Sequence, residues 1–149
     1  MALFRFRAAA ALELRLKQEH AAAAAAARTE ADLGAARAIL DETTTRRLTA
    51  QQGLTALQAH GTDIDTLLWH RNWISALAKA VDQRSLDVER LDGFHREAER
   101  AWREARRKRL ALERLRDHAR QRHQQQELGA ERKAIDELAR LRFAMREEG

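Results

Sequence analysis

The amino-acid sequence predicts an all-α chain, folded as a long antiparallel two-helix coiled coil, that is, a helical hairpin. Three observations carry this. Of the 149 residues, 93 are Ala, Glu, Lys, Leu or Arg, well above the roughly one half that marks long helices and coiled coils. There is no proline, so few turns are expected. Apolar residues recur at the alternating 3-4 spacing of a helix that buries one narrow stripe. Aromatic residues make up only 5% of the chain, which suits a thin seam better than a central core. A single coiled-coil unit spanning 1–149 is expected, because no Gly/Ser-rich stretch divides the sequence.

Helix one is expected over about 3–60. Phe4 and Phe6 alternate with Arg5 and Arg7, Leu12 and Leu16 then open a helical face, and Ala21 to Ala27 has the strongest helix propensity available. From there the stripe runs through Leu33 with Ala36, Leu40 with Thr43, Arg47 with Ala50 and Leu54 with Leu57; extended backwards by sevens it collects Ala26 and Leu12. Thr43-Thr44-Thr45, Gly34 and Gly53 are expected soft places. His60-Gly61-Thr62-Asp63 is the one convincing break: Gly61 can end a helix in the left-handed conformation, and Thr62 or Asp63 can cap the next. The turn is placed at about 61–65.

Helix two is expected over about 66–146. Ile74, Val81, Val88, His95 and Trp102 take heptad position a, with Leu77, Arg84, Leu91, Ala98 and Ala105 at position d. Together with Leu112, the apolar members of this series and of the helix-one stripe form the predicted seam. Leu128, Ile135, Leu138 and Met145 restore a stripe near the end. Folding back near residue 64 sets Phe4 opposite about residue 124, so some twenty further residues of helix two extend past helix one.

Charge is concentrated. Net charge is +5, yet between Arg100 and Arg122 ten Lys or Arg face only Glu104, Glu113 and Asp117, a local balance of +7 that leaves the remainder near −2. Arg106, Arg107, Lys108 and Arg109 span all sides of a helical turn, with Arg116 and Arg120 following. Such a segment suits an acidic protein surface, a pore or phosphates. No sequence-reading motif accompanies it, which argues against sequence-specific nucleic-acid binding. The second signal is the pair Trp69 and Trp73 at the head of helix two, which either widens the core near the turn or offers an aromatic anchor to a partner.

Catalysis finds no foothold in the sequence, so no enzyme and no cofactor are expected. Ser75 and Ser85 are the only serines and neither sits in a nucleophile elbow. No two of the six histidines have the spacing of a helical zinc pair, and there is no cysteine, so no metal is expected. His95, at an a position, is expected to be a polar seam residue that specifies register. The longest apolar run, Ala21 to Ala27, is far short of the ~20 residues that span a bilayer. Glu13, Arg15 and Lys17 interrupt the apolar start, against a signal peptide.

These residues resemble the FliJ family, the coiled-coil stalk proteins of the bacterial flagellar type III export apparatus. The likeness rests on Phe4-x-Phe6 followed by Leu12-Glu13-Leu14-Arg15, on Trp73-Ile74, Leu77 and Lys79-Ala80-Val81-Asp82-Gln83, and on Trp102-Arg103-Glu104 at the matching distance. It implies a non-enzymatic cytoplasmic protein, peripheral to the inner membrane at the flagellar base. The implied partners are the hexameric flagellar export ATPase, the cytoplasmic domain of the export-gate membrane protein and export chaperones. The resemblance implies a gate-binding stripe at Trp73, Leu77, Ala80 and Arg84, the last standing where the family has histidine. The basic end, Phe4, Arg5, Phe6 and Arg7 with Arg106, Arg107, Lys108, Arg109, Arg116 and Arg120, would suit the ATPase pore. Injectisome stalk proteins share the architecture. The competing reading is a basic coiled-coil adaptor for nucleic acid or another filament.

Overall fold

A computed structural model describes residues 3–148. Two helices, α1 (Ala9–His60) and α2 (Ile64–Glu148), form an antiparallel hairpin. The reversal is chemically determined. Gly61 has φ +81°, a conformation that favours a residue without Cβ, and no other described residue has positive φ. Asp63 then caps α2: its carbonyl accepts from Leu67 N–H at 3.2 Å. A hydrogen bond from the Thr66 side chain, with smaller help from Thr62 and backbone N–H groups, holds the Asp63 carboxyl below its ordinary value.

The start of α1 differs from expectation: the helix begins at Ala9, not near residue 3. The reason lies in the alternation of Phe4, Arg5, Phe6 and Arg7. Burial alternates with period two there, both phenylalanines half-buried and both arginines exposed, which is not the period of a helical stripe. Ala9 N–H bonds the Phe6 carbonyl at 3.1 Å, closing the turn into the helix. The three consecutive threonines do not interrupt α1. Thr43, Thr44 and Thr45 each donate to the carbonyl four residues back, on Ile39, Leu40 and Asp41, at 2.7, 2.8 and 2.9 Å.

The hairpin divides into two compact units: His20–Arg103, and the described residues up to Glu19 together with those from Glu104 onward. In the first unit Ala26, Leu33 and Leu77 are buried, and Leu40, Leu54, Leu57, Ile74, Val81, Val88, Leu91 and Trp102 are half-buried. Polar contacts fix the level of the two helices. Thr29 Oγ1 lies 3.0 Å from His95 Nδ1, and Arg37 reaches Asp92 at 3.7 Å. The Thr29 hydroxyl also lies 2.9 Å from the Ala26 carbonyl, and His95 Nε2 lies 3.3 Å from Glu99. Arg84 departs from its expected d position. Its side chain is exposed and lies 3.9 Å from Asp87, while Ser85 turns half-inward; an outward guanidinium keeps its hydration.

In the second unit Leu12 is buried and Leu112 half-buried. Here the seam carries charge: Glu19 is buried at 9% exposure, and Arg109 and Arg116 are half-buried. Phe4 meets His123, ring centroids 5.6 Å apart, which places it one residue from the level that the turn position predicts.

Candidate interaction surfaces

The aromatic corner lies in the unit His20–Arg103, just after the turn. Trp69 and Trp73, one helical turn apart on α2, stack with centroids 6.4 Å apart and planes 20° apart. His70 meets Trp69 edge-on at 5.0 Å. Both indoles are outward, Trp69 61% and Trp73 45% exposed. Thr45, Thr49, Ala50 and Gly53 of α1 form the far side of a shallow groove that the two tryptophans line. Arg46 of α1 and His70 of α2 complete its lining. An exposed stacked indole pair beside a groove is the kind of surface where aromatic anchors carry affinity.

The four residues of the implied gate stripe separate in the structure. Trp73 is outward, Ala80 half-buried and Arg84 exposed, but Leu77 is only 6% exposed and belongs to the seam. Trp69, outside that stripe, extends the outward surface. Its i,i+4 spacing to Trp73 is the signal by which it is legible in the sequence.

The basic segment also splits into inner and outer members. Arg106, Arg107 and Lys108 are exposed, Arg107 pairing with Glu104 at 2.7 Å. Arg109 points inward, bonding Glu19 through both Nε and Nη2 and Glu113 through Nη1 at 2.9 Å. The hydrogen bonds to Glu19 first, and then to Glu113, raise the Arg109 pKa above its already high ordinary value. Arg116 is half-buried; its Nε lacks a hydrogen bond and has Asp117 at 3.6 Å. The Arg120 guanidinium lies 5.7 Å over the Phe4 ring, a cation–π contact. Arg5 and Arg7 are exposed beside it.

Glu19 is the residue that sequence reasoning missed. It stands seven after Leu12 and seven before Ala26, so the heptad stripe itself carries it into the seam. A carboxylate there requires a cation at the same level, and Arg109 supplies it.

Beyond residue 129 every described residue of α2 is exposed. Leu128, Ile135, Leu138 and Met145 still keep the 3-4 stripe, at 58–72% exposure. Among the described residues no group of three or more His, Asp or Glu could hold a metal ion, and no helix is long and apolar enough to cross a membrane.

The sequence model of a family described as FliJ, flagellar FliJ protein, matches residues 9–148. Among solved structures, one from Chlamydia trachomatis, CT670, described as a homolog of YscO, is similar in fold, with a TM-score of 0.56 and 18% identity, covering 99% of each chain. Among curated proteins none matches.

Proposed function

Because the chain belongs to the flagellar FliJ protein family, a family of type III protein export, we propose that it is a non-enzymatic stalk and chaperone component that links the export ATPase ring to the export gate. The family match over almost all of both helices carries this reading. The exposed Arg5, Arg7, Arg106, Arg107 and Lys108, together with the uncovered end of α2, support insertion in the pore of a hexameric ATPase. The outward Trp69 and Trp73 support contact with the cytoplasmic domain of the gate protein. The protein acts in the cytoplasm, at the inner face of the membrane that holds the gate.

The mechanism is asymmetric contact. A single shaft in a six-fold ring cannot present the same side chains to all subunits at once. The subunit facing the most complementary side is therefore stabilised in one state relative to its neighbours. The charge-rich end supplies orientation and encounter rate, through potentials that fall off with salt. The aromatic corner supplies the desolvated anchor that holds the other partner. Arg84 changes only the edge of that contact, since Trp69 and Trp73 already offer the apolar area.

A three-component binding assay tests the proposal. Trp69→Ala with Trp73→Ala is expected to lose the gate domain and keep the ring, whereas removal of residues after 127 is expected to lose the ring and keep the gate. Retention of both partners by both variants would contradict the assignment. Binding to nucleic acid in preference to the ring, lost steeply with salt, would favour the basic-adaptor reading instead.

A further inference from the structure

The end of α2 carries a heptad stripe with nothing against it. Leu128, Glu131, Ile135, Leu138, Arg142 and Met145 occupy alternating a and d positions, and all six are exposed. Two of them are charged with opposite sign, and neither Glu131 nor Arg142 is paired within the chain among the described residues. Four large apolar side chains on one helical face, interrupted by two unpaired charges, form half of a seam.

We propose that this stripe pairs with itself in a second copy of the chain, forming an antiparallel homodimer through residues 128–145. In an antiparallel coiled coil, a positions face d positions of the other helix. A two-fold axis between Asp136 and Glu137 puts Leu128 against Met145 of the second copy, Ile135 against Leu138, and Glu131 against Arg142. The same operation returns each pair in reverse, so six layers close with apolar on apolar and acid on base. This is the self-complementarity that a two-fold interface requires. A parallel arrangement would set Glu131 against Glu131 and Arg142 against Arg142, two like-charge layers that repel in the seam.

Two further observations agree. Charge is distributed unevenly along the segment: 127–137 holds four acids against Arg132 and Lys133, and 138–146 holds Arg140, Arg142 and Arg146 with no acid. Antiparallel pairing lays the negative half on the positive half. Length also fits. Glu148 falls opposite residue 125 of the second copy, so the incoming helix ends just before the level of Phe4 and His123, where the intramolecular seam begins. The two seams thus abut without overlap. The dimer is a state of the chain outside the ring, because one helix end cannot pair with a second copy and enter the ring at once.

Sedimentation velocity on the full chain, over a wide concentration range, tests it. A monomer–dimer equilibrium in the micromolar range is expected. Ile135→Asp with Leu138→Asp should leave a monomer at every concentration, with helical circular dichroism retained because the seam upstream is untouched. Glu131→Arg and Arg142→Glu should each raise the dissociation constant by about tenfold or more, and the combined charge swap should restore it. A wild-type chain that stays monomeric at high micromolar concentration would overturn the proposal. So would a dimer indifferent to the Ile135 and Leu138 substitutions, or a charge swap that fails to rescue.

Discussion

At Leu77 and Trp73, four residues apart on α2, position decides role. Leu77 is buried in the seam and Trp73 faces out, so substitutions there should fail differently. Leu77→Ala is expected to destabilise the hairpin by about 2 kcal/mol, the lower end of the range for buried leucines because a two-helix seam can partly collapse. Trp73→Ala should leave the melting temperature nearly unchanged and weaken partner binding. Thermal melts beside a binding assay check both, and equal melting temperatures for the two variants would contradict this division. At Asp63, the depressed pKa means that the folded form binds the proton less readily than the unfolded chain. The carboxylate's contribution is therefore present above the ordinary carboxylate range and fades as pH falls through the lower folded value. Asp63→Asn, which can still cap, should remove that part of the acid sensitivity while keeping the helix start. A melting-temperature profile from pH 7 downward, roughly across the carboxylate range, measures it.

Among the elements, the seam of the charge-rich unit is where an ion cluster replaces hydrocarbon. Glu19, Arg109 and Glu113 form a half-buried network. Removing Glu19 leaves the half-buried Arg109 with Glu113 alone, whereas replacing Glu19 and Arg109 together with leucine puts hydrocarbon in their place in the seam. Glu19→Leu should therefore lower the melting temperature. Glu19→Leu with Arg109→Leu should recover that loss or exceed the wild type, and a double variant less stable than the single would contradict this account. The same residues show what is legible in the sequence. Seam leucines, the Gly61 reversal and the level of Phe4 follow from seven-residue spacing and arithmetic alone. The inward turn of Arg109 does not, because a basic run such as Arg106 to Arg109 looks alike on every face until its partner on α1 is known. Nor does the outward swing of Arg84, which depends on the neighbouring Asp87 and Ser85. The extended start at Phe4 to Arg7 was visible as a period-two alternation, but a short one that the strong alanine helix beside it obscures. Of the candidate binding surface, the two tryptophans are readable by spacing; the α1 side of their groove appears only once the helices are paired.

At the scale of the whole molecule, the chain offers contact surfaces rather than chemistry: an aromatic corner near the turn in one unit, and outward cations with an uncovered helix end in the other. The chain belongs to the flagellar FliJ protein family. The proposed stalk role places the uncovered end of α2 inside the ATPase ring. Photo-cross-linking from a reactive residue placed at Leu138 measures this most directly, using the full chain mixed with the nucleotide-bound hexamer and salt varied. Adducts to residues lining the central channel that survive moderate salt are expected, with none from a reactive residue placed at Trp73. Adducts to the outer surface of the ring, or none from Leu138 while the chain still binds, would contradict it.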